Sequence, residues 1–99
     1  MINITKELND SVLTVYLDGK MDTNTTPQVA EQIEADVEAA DALILDMKDL
    51  KYISSAGLRL LLSLHKKMAD KSGMKLKNVN ETNMEILDFT GFADILDIE

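Results

Sequence analysis

Two groups of residues carry side chains suited to chemistry. The first is Ser54-Ser55-Ala56-Gly57, where adjacent hydroxyls and a glycine precede an apolar helical pattern. A serine in that place is a natural N-cap, because its oxygen accepts a hydrogen bond from one of the unpaired N–H groups of the first helical turn. Those N–H groups and the helix dipole also accommodate an anion, so a phosphate on Ser54 or Ser55 would be tolerated locally. Serine caps are common, and residue types alone favour the plainer reading: the serines cap and Gly57 permits close packing. The second group is the polar loop Gly19-Lys20-Met21-Asp22-Thr23-Asn24-Thr25-Thr26. Asp22 either caps a turn there or stands beside the serine turn and meets a partner, and its residue type favours the turn.

Other chemistries find little material. Nucleophilic catalysis needs a base within hydrogen-bond reach of the serine. The one histidine, His65, sits about three turns along the same helix and falls in its apolar stripe, where a packed histidine is expected. With no cysteine and no histidine pair there is no metal constellation. The four glycines match neither phosphate-cradling spacing. No enzyme activity, metal or cofactor is expected.

The elements that must position the serine turn are a strand before it and a helix after it. Ala42-Leu43-Ile44-Leu45 is a continuous apolar run, as in a strand covered on both faces, and should stop near Asp46. A polar link, Lys48 to Lys51, then leads through Tyr52-Ile53 to the serines. In the helix, Leu58, Leu61, Leu62, His65, Met68 and Ala69 form one stripe, with Arg59, Ser63 and Lys66 opposite. Leu60 and Leu64 fall on the flank, half exposed, and would make a small apolar patch beside the turn.

Along the rest of the chain, Ile2 to Leu8 and Ser11 to Asp18 form a hairpin about an Asn9-Asp10 turn, with Leu13, Val15 and Leu17 on one face of the second strand. Thr26 caps a helix with Pro27 at its first position, running to about Ala40; Glu31, Glu34, Asp36 and Glu38 make its outer faces acidic and solvated. Ser72-Gly73 ends the serine helix, and Met74 to Val79 is a strand. Thr82 to Glu85 reads as a capping box for a short helix with apolar Ile86, Leu87 and Phe89, ended near Gly91, and Ile95 to Ile98 as an edge strand. This order predicts one α/β (α+β) domain over residues 1–99, a mixed sheet with an N-terminal hairpin and helices packed against it.

The net charge of −8 argues against a nucleic-acid backbone or an anionic membrane as direct partner. The N-terminus lacks the pattern of a secretory signal, and the longest apolar runs are too short to span a bilayer. A cytoplasmic, acidic adaptor facing another protein is the expectation.

Tyr52-Ile53-Ser54-Ser55-Ala56-Gly57-Leu58, preceded by Leu45-Asp46 and Asp49-Leu50, resembles the signature of STAS domains. That family includes bacterial anti-sigma factor antagonists and the cytosolic domains of sulfate transporters. Gly19-Lys20-Met21-Asp22 with Thr25 resembles the family's first loop, and Ile86-Leu87-Asp88-Phe89-Thr90-Gly91-Phe92 its late helix and turn. The resemblance implies a partner switch. The unmodified antagonist binds an anti-sigma factor that is also a serine kinase and frees the sigma factor; phosphorylation at the position of Ser55 ends binding, and a PP2C-type phosphatase restores it. It also implies a partner-binding set of Asp22, Thr25, Ser54, Ala56, Gly57, Arg59 and Leu60. In S-S-A-G the family's acidic residue is Ser54 and its second hydroxyl is Ala56, which makes Ser54 the competing acceptor. The alternative within the family is a small cytosolic subunit of a membrane transport complex that contacts its ATPase.

Overall fold

The computed structural model describes residues 2–99. Strands β1 (Ile2–Asn9) and β2 (Val12–Met21) form the N-terminal hairpin. Helix α1 (Thr26–Val37) leads to strand β3 (Ala42–Ile53), helix α2 (Ser55–Met68) to strand β4 (Met74–Lys77), and helix α3 (Glu81–Thr90) to the two-residue strand β5 (Asp97–Ile98). The sheet order is β1-β2-β3-β4-β5, with β1 antiparallel to β2 and the other pairs parallel.

The hairpin turn lies one residue later than expected. Asn9 pairs with Val12, and the two residues between them, Asp10 and Ser11, have φ of 50° and 69°. Two consecutive left-handed residues make the turn whose twist matches the flanking strands, and aspartate tolerates that region better than most residues.

Each crossover steps to the next strand in the same direction, so right-handed connections place all three helices on one face. The core lies there. Leu13, Val15 and Leu17 of β2, Leu43 and Leu45 of β3 and Leu76 of β4 meet Val29, Ile33 and Val37 of α1 and Leu61, Leu64 and Met68 of α2. On the opposite face Thr5, Glu7, Tyr16 and Lys75 are exposed, while Ala42 and Ile44 are half-buried between neighbouring strands. The apolar run of β3 is therefore covered fully on one face only, not on both.

Strand β3 also does not stop near Asp46; it continues to Ile53. Its pairing with β2 slips twice, since Tyr16 and Asp18 oppose Asp46 and Asp49, and Gly19 and Lys20 oppose Leu50 and Tyr52. Each slip adds one residue on β3, a bulge that turns the next side chain to the other face. Met47, Leu50 and Ile53 thus all reach the core, three residues apart. A strand whose buried residues recur every third position shows no alternation, which is why Lys48 to Lys51 reads as a polar link.

Beyond the short β4, the far edge of β3 is completed by side chains. Asn80 Nδ2 and Asn83 Nδ2 each donate to the Leu50 carbonyl at 2.8 Å. Asn80 also caps α3, its Oδ1 accepting from Asn83 N at 2.8 Å, so the cap is Asn80 rather than Thr82. Gly91 ends the helix in the left-handed region at φ 83°, as the sequence indicates. Leu87 is buried, but Phe89 is 94% exposed and is no part of the core.

Candidate functional site

The parallel register of β2 and β3 sets the site. Met21 pairs with Ile53, so the loop after β2 and the turn after β3 leave the same end of the sheet side by side. Functional loops gather at the carboxyl ends of parallel strands for this reason. Ser54 N donates to Met21 O at 2.8 Å, tying the two segments directly.

The two serines have different environments. Ser54 is buried, in an extended conformation, and is the N-cap of α2: its Oγ accepts from Gly57 N at 3.2 Å. Its carbonyl accepts from Leu58 N at 2.9 Å, the first bond of the helix. Ser55 is the first helical residue and is exposed, and its hydroxyl makes no hydrogen bond among the described residues. Around it Ala56 is half-buried and Arg59 is exposed.

Gly57 is present for space. A Cβ there would stand 2.9 Å from Ile53 Cγ2 and 3.1 Å from Met21 Cε, so only hydrogen lets the first turn of α2 close onto the ends of β2 and β3. The helix is consequently rolled inward about Gly57, Leu61, Leu64 and Met68. Leu60 and Leu64 are 8% and 1% exposed, not half exposed, so the expected apolar patch of these leucines does not exist. Leu62 and His65 are half-buried and Ala69 is exposed. Spacing from the glycine, at steps of four, three and four, was the signal for the true stripe. What α2 shows to solvent beside Ser55 is Arg59 and Ser63.

The Asp22 loop is a reciprocal turn. Asp22 Oδ1 accepts from the backbone N–H of Asn24 and of Thr25, both at 2.9 Å, while Asp22 N donates to Thr25 Oγ1 at 2.9 Å. Thr25 Oγ1 in turn donates to Lys20 O at 2.7 Å. The hydrogen bond from the Thr25 backbone holds the Asp22 carboxyl below its ordinary value of 3.8, aided by that from Asn24 and opposed by partial desolvation. Because Asp22 organises the turn, Thr26 is already helical and its Oγ1 donates back to Asp22 O at 2.6 Å. It is therefore not the cap, and Pro27 falls at the second helical position. Thr25 is buried with its hydroxyl committed on both sides, which makes it a support for the loop.

One residue of this end was missed by sequence reasoning. Tyr52, paired with Lys20 two residues before Ser54, is 44% exposed. Its position after a bulge, invisible in the sequence, decides that it faces outward. His65 is on α2 well away from Ser55 in sequence, and its Nδ1 is buried without a hydrogen-bond partner among the described residues. No group of three or more His, Cys, Asp or Glu able to hold a metal occurs among the described residues, and no helix is long and apolar enough to cross a membrane.

Residues 3–99 match the STAS domain family model. The chain belongs to the STAS domain family. Its relatives include the anti-sigma-B factor antagonist of Bacillus subtilis, 30% identical over 98% of this chain and 90% of that protein. The anti-sigma F factor antagonist of Paenibacillus polymyxa is 29% identical over 98% of this chain and 86% of that one. Among solved structures, an anti-sigma factor antagonist from Mycobacterium paratuberculosis superimposes with a TM-score of 0.90 at 23% identity, covering 99% of this chain and 85% of that chain. The Bacillus cell fate determinant SpoIIAA in its phosphorylated form superimposes with a TM-score of 0.75 at 19% identity, over 98% of this chain and 91% of that one. These structures share the STAS fold: a five-stranded mixed sheet with three helices here. The SSAG turn and the Asp22 loop are the ends of adjacent parallel strands in it.

Proposed function

We propose that this STAS domain is an anti-sigma factor antagonist. It binds a cognate anti-sigma factor that is also a serine kinase, and phosphorylation of Ser55 ends the binding. The observation that carries the choice of residue is the contrast between the serines. The Ser54 hydroxyl is buried and committed to the Gly57 N–H, whereas the Ser55 hydroxyl is exposed and uncommitted at the helix start. The names of the antagonist relatives support the role, and a phosphorylated form of SpoIIAA, with the same fold, supports the modification.

Transfer of the γ-phosphoryl group of ATP to Ser55 Oγ adds about −1.5 to −2 charge at the N-terminus of α2. The helix dipole tolerates that charge within the molecule. A partner seated across Ser55, Ala56, Arg59 and the Asp22 loop meets a bulky dianion where it had met a hydroxyl. No change of fold is needed to disrupt such an interface. A PP2C-type phosphatase returns the hydroxyl.

The test is incubation of the purified protein with ATP and its co-encoded kinase-like anti-sigma factor, followed by mass spectrometry of wild type, Ser55→Ala and Ser54→Ala. Phosphate is expected on wild type and Ser54→Ala and absent from Ser55→Ala. Binding without phosphate on any form would replace the switch with a constitutive binding module and bring forward the transport-complex role.

A further inference from the structure

The charge of this chain is concentrated at one end. Residues 81–99 hold Glu81, Glu85, Asp88, Asp94, Asp97 and Glu99, and not one of the ten Lys and Arg residues. All six acidic residues are exposed. Glu99 is paired with Lys75 and Lys77 at 3.8 and 3.4 Å, but the other five form no ion pair among the described residues. On α1 the acidic residues are partly paired, Asp36 with Lys6 at 2.7 Å and Glu38 with Lys67 at 3.5 Å, while Glu31 and Glu34 form no ion pair among the described residues.

Helix α3 carries Glu81, Glu85 and Asp88 and no cation, and on it stands Phe89, 94% exposed. With Thr82, Glu85, Ile86 and Thr90 it lines a shallow concavity along α3. A lone exposed apolar residue needs no explanation, but a fully displayed aromatic ring beside a half-buried isoleucine, on a helix whose charged residues are all carboxylates, is the composition of an interface anchor with a charged rim.

The geometry points to α3 as a second protein-docking surface, distinct from the serine turn, whose occupant is a basic amphipathic segment of another protein: apolar residues over Phe89 and Ile86, and Lys or Arg against Glu85, Asp88 and their neighbours. Charge decides the occupant. A second copy of this chain packing α3 on α3 would set two helices charged only by carboxylates against each other, and a nucleic acid or an anionic membrane would be repelled. A cationic helix satisfies both the ring and its rim.

The probe is an 18-residue helical peptide of Leu and Lys with one apolar face, compared with a peptide of equal charge in which Ser replaces Leu. Each is titrated into the 15N-labelled full chain, with backbone shifts followed by NMR. Shift changes at residues 82–95, saturating with the Leu/Lys peptide and weaker by about tenfold or more in Phe89→Ser, are expected. Glu85→Gln with Asp88→Asn should flatten the salt dependence of binding. Phe89 is exposed, so its variant should retain the parent melting temperature, which circular dichroism verifies. Equal binding of both peptides, changes spread over α1 or the serine turn, or undiminished binding by Phe89→Ser would each overturn the inference. So would a concentration-dependent dimer in sedimentation that Phe89→Ser abolishes, because the occupant would then be a second copy. None of these readouts depends on phosphate at Ser55.

Discussion

Replacing each of the two serines by alanine separates the cap from the displayed hydroxyl. In Ser54→Ala the Gly57 N–H loses its only side-chain acceptor, in a place where both residues are buried and water cannot readily substitute. Loss of an N-cap of this kind costs about 1 kcal/mol, within a range of roughly 0.5–2. The upper half of that range is expected here, because the orphaned donor is buried. For a domain of this size each 1 kcal/mol lowers the melting temperature by about 4–8 °C. Ser55→Ala removes a hydroxyl with no hydrogen bond and places a better helix former at an exposed helical position, so its effect should stay within about 0.5 kcal/mol. Urea unfolding of the two variants, compared at equal m-value, measures the difference. A Ser55→Ala loss as large as that of Ser54→Ala, or a Ser54→Ala variant as stable as wild type, would refute the division of labour on which the choice of Ser55 rests.

Gly57→Ala should gain about 1 kcal/mol in helix propensity but lose roughly 1–3 through the 2.9 Å approach to the stiff Ile53 methyl, so net destabilisation in thermal unfolding is expected; a stabilised variant would mean that Met21 and Ile53 yield freely. Lys71 Nζ donates to the carbonyls of Val37, Glu38 and Ala40 at 3.0, 3.2 and 2.7 Å, closing the end of α1. Lys71→Met should therefore cost about 1–2 kcal/mol in urea unfolding, whereas the exposed Lys51→Met should cost nearly nothing. The Asp22 carboxyl, held low in the folded state by backbone N–H groups, should titrate by NMR with a midpoint below 3.8. Its folded value lies below its unfolded one, so its contribution to stability is present above pH 3.8 and lost as pH falls through the folded midpoint. Asp22→Asn keeps an oxygen acceptor and should remove that part of the acid-side slope; an unchanged slope would show that the carboxylate is not coupled to folding.

Several local signals in the sequence survived folding because they depended only on neighbours in the chain, although the caps expected at Thr26 and Thr82 did not. The alternation in Leu13, Val15 and Leu17, the cap before α2 and the glycine after α3 each rest on one strand's pleat or one helix end, and those are properties of a few consecutive residues. The family resemblance likewise needed only the SSAG turn, the Asp22 loop and the late helix in order along the chain. Asp22 as a turn residue was legible because an aspartate side chain readily accepts from backbone N–H groups two or three residues on.

What tertiary structure alone decided were the features set by pairing between distant segments. The two bulges of β3 exist only in its register with β2, and they turned an apparent polar link into a strand and Tyr52 outward. The roll of α2 was set by the contact of Gly57 with Met21 and Ile53, which buried Leu60 and Leu64 and left Arg59 as the exposed neighbour of Ser55. The exposure of Phe89 depended on which face of α3 the Leu50 carbonyl and its two asparagines drew inward. Sequence by itself determined that a serine turn opens a helix and that Asp22 makes a turn in a STAS domain; the register of β2 and β3 set the two side by side. The fold determined which serine is spent on the cap and which is presented to solvent, because burial and hydrogen-bond commitment are properties of the packed chain and not of the residue.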